Sequence, residues 1–232
     1  MADETNMEWI CSTLIDDPKF RDRGVMDAQA KWDSGQVLKV GFLEGSAKLR
    51  DRVFKTAQRW TIDGEGGAHL KFEKVADPKQ ADIRVAFDKN GGSWSHVGKQ
   101  ALGIAKRKPT MNLGWVSETT AEKSFASVVL HEFGHAIGLL HEHNHPRAQL
   151  KWKKDVVYAD LMGSPNYWDK ETIDFNVFES YPEGRVVCSE DMDLVSIMIY
   201  TIPARWLDGQ PGITPSDHLS EDDIKFIRQQ YN

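Results

Sequence analysis

The sequence predicts an α+β fold, a twisted mixed sheet backed by helices. Three observations lead there. Segments of strand character, with one amphipathic helix among them, follow one another from Gln36 to Leu113. A long run from about Thr119 to Ile137 then repeats apolar residues at helical spacing. The composition, 40% hydrophobic and 28% charged over 232 residues, suits a globular chain that buries a core.

Residues 1–31 read as an N-terminal arm. Within it, residues 3–16 predict a short helix with Met7, Ile10, Cys11 and Leu14 on one side, ended by Asp17-Pro18. Gln36–Leu43 alternates as a strand. Leu49, Val53, Phe54, Ala57 and Trp60 then recur at helical spacing, with Lys48, Arg52, Lys55 and Arg59 on a solvated face. His69–Val75 and Ala81–Phe87 predict further strands, the segment from Ser93 to Gly98 an edge strand, and Thr110–Leu113 another. The long helix starts near Thr119, where Thr119 and Glu122 stand at capping-box spacing. Its stripe of Phe125, Val129, Phe133 and Ile137 anchors one face in the core. Residues 142–195 show no regular pattern. Ser220 to Tyr231 closes the chain as a helix, with Ser220 and Asp223 at capping spacing and Ile224, Ile227 and Tyr231 facing inward.

The long helix ends in His131-Glu132-Phe133-Gly134-His135-Ala136-Ile137-Gly138-Leu139-Leu140-His141-Glu142. Residues four apart share a helical face, so His131 and His135 point two imidazoles at one ion. Glu132 sits beside them, within reach of a water held there. Gly138, without a Cβ, leaves the helix with φ > 0 and swings His141 back as a third ligand. Three protein ligands plus water mark a catalytic zinc site rather than a closed structural one. One Zn2+ is therefore the expected cofactor. His96, His143 and His145 are expected at the surface or in a substrate cleft.

The net charge of −6, with no Lys/Arg cluster, argues against nucleic acid or an anionic membrane surface as a partner. No apolar run reaches membrane-spanning length. The acidic N-terminus has no hydrophobic segment of a signal peptide after it, so the chain is expected either to stay inside its cell or to be secreted with a leader removed.

Three stretches resemble the metzincin zinc peptidases, and within them the astacin-like family. The first is the run His131 to Glu142, whose third His is followed by Glu. The second, Ser196-Ile197-Met198-Ile199-Tyr200, is similar to the family's Met-turn, and the third, Gly92 to Gly98, to its edge-strand segment. The resemblance spans about residues 32–231. It implies two lobes. The upper, about 32–141, holds the sheet and active-site helix. The lower, about 142–232, is irregular, carries the Met-turn beneath the metal, and ends in the C-terminal helix. Residues 1–31 would then be a pro-segment. It also implies a zinc endopeptidase, expected to be a monomer whose partner is a peptide or protein substrate, with His131, His135 and His141 as ligands, Glu132 as general base toward a zinc-bound water, and Met198 packed under the ligands.

Some positions stay open between two readings. Tyr200 is either a catalytic residue and further zinc ligand, as in the similar family, or a core tyrosine. Glu142 either meets a new N-terminus after a pro-segment is cut or is an ordinary carboxylate near the ligands. Cys11 covers the metal, is a buried free thiol, or pairs with Cys188. The family's Cys is Ser93 here and its partner Cys before the active-site helix is also missing, so the family's disulfides are absent, which favours a reducing compartment or a distant branch; its Met-turn His is Ile199 here. The alternatives to an astacin-like peptidase are a serralysin- or matrixin-like one and a non-catalytic zinc-binding module.

Overall fold

The computed structural model describes residues 26, 27, 29–164, 166–181, 186–214 and 216–232. The helix expected over residues 3–16, with Cys11, lies outside the described residues. β1 (Met26–Asp27) forms a two-stranded antiparallel ribbon with β7 (Val186–Val187). β2 (Val37–Phe42), β3 (Lys71–Lys74), β4 (Ile83–Ala86), β5 (Ser93–Ser95) and β6 (Met111–Leu113) form a sheet in the spatial order β3-β2-β4-β6-β5. β2 runs parallel to β3 and β4, and β4 parallel to β6. β5 alone is antiparallel and closes one edge, as the sequence predicts for that segment. β4 is buried at all four positions, the pattern of a strand covered on both faces.

α1 (Ala47–Ala57) opens on Ser46, whose hydroxyl accepts the Leu49 N–H at 3.1 Å, and continues as a 3-10 turn over Gln58–Trp60. The expectation of a wholly solvated basic face is corrected at Arg52. Its guanidinium lies 3.7 Å over the Phe125 ring and pairs with Glu122 at 2.7 Å.

That pairing bears on the start of α2 (Glu122–Ala136). The expected Thr119–Glu122 capping box does not form. The N-cap is Ala121, without a side-chain bond. Thr119 and Thr120 fold back on Ser117 instead, with the Ser117 N–H donating to the Thr120 hydroxyl at 2.9 Å. The anchoring stripe is as expected: Phe125, Val129, Phe133 and Ile137 are fully buried, and Phe133 packs 5.5 Å from the Phe72 ring of β3. Trp60 ties the helix down further, its indole N–H donating to the Leu130 carbonyl at 2.9 Å.

Residues 142–195 are more regular than expected. α3 (Lys154–Leu161) and α4 (Lys170–Ile173) lie there, and α4 runs on as a π-helical turn over Asp174–Phe178. Val157, Leu161, Ile173 and Val177 from these elements join Ile199, Tyr200, Ile202 and Trp206 in a second apolar cluster. The first cluster fills the space between sheet and α2. α5 (Glu221–Gln230) follows the lower-lobe residues in sequence, yet its Phe226 and Ile227, with Tyr231 after it, complete this first core. Met26 and Ala30, from the stretch assigned to the arm, are buried there too. Among the described residues Cys188 forms no disulfide. No helix among them is long and apolar enough to cross a membrane.

Candidate metal centre and active-site cleft

α2 delivers His131 and His135 one turn apart. The chain then leaves the helix through Gly138 at φ +103°, the left-handed conformation expected of it. That turn brings back His141. One ligand atom from each imidazole falls within 4.8 Å of the other two, and all three rings are buried.

Backbone carbonyls set the tautomers. His131 Nδ1 donates to the Ile197 carbonyl and His135 Nδ1 to the Leu139 carbonyl, each at 2.8 Å. Each neutral ring therefore presents an Nε2 lone pair to the centre. Burial holds the His131 imidazole down at about 4 and drives His135 well below the ordinary value, against hydrogen bonds that raise both. Metal binding needs the neutral form, so burial prepares the ligands.

The donor set fits zinc. His131 Nε2 is buried with no hydrogen-bond partner among the described residues. His135 Nε2 and His141 Nε2 stand 3.2 Å apart. Two nitrogens on a tetrahedral zinc at about 2.0–2.1 Å would be roughly 3.3 Å apart, so this spacing is that of two ligands on one ion.

Glu132, 1% exposed, turns into the same cleft. The cleft has a volume of about 800 Å³ and runs along α2 past Ser127 and Ser124. Gly114 and Trp115, after β6, line one side, and Tyr200, Thr201, Thr214 and Ser216 the other. Below the ligands lies Met198, 2% exposed, on the Gly134 face of α2. The Met-turn that carries it is fixed by Asp223 of α5. This carboxylate accepts from the Ser196 hydroxyl at 2.6 Å and the Ile197 N–H at 2.8 Å. Sequence reasoning noted Asp223 only as a cap and missed this second role.

Tyr200 lines the cleft. Its ring centroid is 5.2 Å from that of His141, and its hydroxyl donates to the Asn176 carbonyl at 3.3 Å. Glu142 is buried, with a carboxylate oxygen accepting the Asp193 N–H at 2.9 Å, and burial lifts its carboxyl to about 8. His96, His143 and His145 are not surface residues, which corrects the expectation: all three are buried. His143 donates to Asn176 and His145 to the Ser189 carbonyl, so each is built into the protein interior. Trp94, on the edge strand β5, is half-buried.

A five-stranded sheet over a helix bearing two imidazoles, with a glycine turn returning a third above a Met-turn, defines a protein of metzincin architecture. A family model described as Astacin, a peptidase family, matches residues 25–232, and the chain belongs to that family. Two solved structures of myroilysin are similar. One is 36% identical with a TM-score of 0.83, covering 89% of this chain and 97% of that one. The other is 33% identical with a TM-score of 0.72, covering 97% and 92%. High choriolytic enzyme 1, a hatching enzyme zinc-protease from Oryzias latipes, shares the fold at 16% identity, with a TM-score of 0.53 over 91% of this chain and 98% of that one. The zinc metalloproteinase nas-36 of Haemonchus contortus is 26% identical over 161 residues, 66% of this chain. The match spans 24% of that relative's length.

Proposed function

We propose that this protein is a zinc-dependent endopeptidase, with His131, His135 and His141 as the metal ligands and Glu132 as general base. The observation that carries the reading is the convergence of three buried imidazoles on one point, with His131 of that group and the buried carboxylate of Glu132 both at the wall of an open cleft. Family membership supports it. Zinc bound there supplies Lewis acidity and lowers the pKa of water toward roughly 7. Glu132 takes the proton of the attacking water and later passes it to the leaving amine. Tyr200, lining the cleft beside His141, offers its hydroxyl to the oxygen that becomes negative as the peptide carbonyl is attacked. The edge strand β5 accepts the substrate as an added extended strand.

Glu132→Ala tests this. The variant is expected to keep one zinc per chain and to lose cleavage of casein. Undiminished cleavage by the variant would overturn the assignment of Glu132. A wild-type protein that holds zinc but cleaves neither casein nor a proteome-derived peptide library would favour the non-catalytic zinc module.

A further inference from the structure

We propose that His143 is a positioning residue for Tyr200, acting through an acceptor that the two side chains share. This rests on the reading of Tyr200 as a catalytic group given above. His143 follows the third imidazole by two residues, in the 3-10 turn Glu142–Asn144. It is 2% exposed, and its Nε2–H donates to the Asn176 carbonyl at 2.9 Å. Tyr200 donates its hydroxyl to that same carbonyl at 3.3 Å. The two rings pack with centroids 4.3 Å apart, and the His143 ring lies 5.1 Å from that of His141.

The local backbone explains why this carbonyl is available. Asn176 lies in the π-helical turn Asp174–Phe178. In such a turn a carbonyl would be met by the N–H five residues on. Here that N–H, of Tyr181, goes to the Asn144 carbonyl at 2.9 Å instead. The Asn144 side chain in turn donates to the Glu179 carbonyl at 2.7 Å. The turn after the third imidazole is thus stitched to the π-helical turn, and the Asn176 carbonyl between them faces two side-chain donors.

His143 makes no second bond: its Nδ1 is buried without a hydrogen-bond partner among the described residues. A buried imidazole with one nitrogen left unsatisfied costs stability. The remaining bond, to Asn176, and the ring face against Tyr200 are what it contributes. Together they fix the distance between the ligand turn and the place where the phenol rests.

A double-mutant cycle tests the assignment on the zinc-loaded enzyme. His143→Phe keeps a ring and removes the donor; His143→Gln keeps a donor. His143→Phe is expected to lower kcat about 3- to 10-fold, the worth of one hydrogen bond, with KM changed less than about twofold. His143→Gln recovers most of that loss. In a Tyr200→Phe background, His143→Phe costs less than about twofold. The same loss in both backgrounds, or a loss confined to KM, overturns the proposal. Tyr200→Phe with wild-type turnover overturns the Tyr200 reading and the proposal with it, a result distinct from additivity. If His143→Phe does not fold, His143→Met, which fills the volume without a donor, replaces it. A second readout needs no turnover: 3-fluorotyrosine placed at position 200 in metal-free protein is expected to shift its 19F resonance in His143→Phe and to keep it in His143→Gln. An unmoved resonance in His143→Phe counts against the proposal.

Discussion

His131 Nδ1 and the carbonyl of Ile197 meet at 2.8 Å, joining the active-site helix to the Met-turn. The bond fixes the His131 tautomer from outside the metal centre, as partners of ligating imidazoles commonly do. Asp223 holds Ile197 from behind through its N–H. A helix near the chain's end thereby orients an imidazole of the candidate metal centre on α2. The site is assembled by the whole fold, not by the motif alone.

Proton linkage gives the first prediction. Burial, the leading cause, holds His131 at about 4 and His143 at about 3, below the ordinary 6.5, and His135 moves the same way. Between about pH 6.5 and about pH 4 these imidazoles thus bind more protons in the unfolded chain than in the folded one. The stability that these imidazoles contribute to the metal-free protein is present above about pH 6.5 and falls as pH drops through this window, opposed in part by Glu142, whose carboxyl, lifted by burial to about 8, binds its proton more tightly in the folded chain. Each such imidazole contributes a slope of up to about 1.4 kcal/mol per pH unit. Urea unfolding of chelator-treated protein is expected to show a lower midpoint at about pH 5 than at about pH 7. Equal midpoints would contradict the linkage.

Packing under the ligands gives the second. A Cβ at Gly134 would stand 2.3 Å from Met198 Sδ and 3.2 Å from Trp60 Cζ2. Alanine is the better helix former by about 0.8–1 kcal/mol, but overpacking here costs about 1–3 kcal/mol. Met198 is flexible and yields part of the space, so Gly134→Ala should fold with reduced stability. Met198→Ala alone opens a cavity worth about 2–5 kcal/mol. In the double variant the new methyl occupies some of that cavity, so the combined loss is smaller than the sum. Chemical denaturation of the four proteins checks this, and strict additivity would refute the contact.

Much of this was legible in sequence because it is local. The stripe from Phe125 to Ile137, the strand β2 and the left-handed Gly138 follow from periodicity and from the freedom of a residue without a Cβ. His131, His135 and His141 are brought together by one helix and one turn, so their spacing alone predicts the centre. Asn176 and Ile197 act through backbone carbonyls, which carry no side-chain signature. The burial of His143 and His145 depends on partners 33 and 44 residues away, beyond any local pattern. The Thr119 capping box failed because Ser117 competes for the same threonines and Arg52 takes Glu122.

Asp223 separates two kinds of loss at one helix start. Ser220→Ala removes a cap hydroxyl that accepts the Asp223 N–H at 2.8 Å, and is expected to cost about 1 kcal/mol with zinc affinity unchanged. Asp223→Ala also strands the Ser196 hydroxyl and the Ile197 N–H, each a buried donor worth about 1–3 kcal/mol when unsatisfied. It frees the carbonyl that orients His131, so zinc affinity should fall about tenfold or more. Competition with a chromogenic chelator measures this directly. Equal zinc affinity in the two variants would show that the Met-turn does not depend on Asp223.

The last turn of α2 is held by both ends of the described chain. The Tyr231 hydroxyl donates to the Ile137 carbonyl at 2.6 Å and accepts the Trp32 N–H at 3.2 Å. The Trp32 indole donates to the Ala136 carbonyl at 2.8 Å. Gly138 and His141 hang directly from this point. Tyr231→Phe keeps the ring but leaves the Trp32 N–H and the Ile137 carbonyl without the hydroxyl, at a cost of about 1–3 kcal/mol. Because the loosened segment carries the turn to the third imidazole, zinc should be released to a chelator faster than from wild type, while Trp32 keeps its bond to Ala136. A Tyr231→Phe protein that unfolds at a lower denaturant concentration yet releases zinc at the wild-type rate would confine the hydroxyl's role to stability.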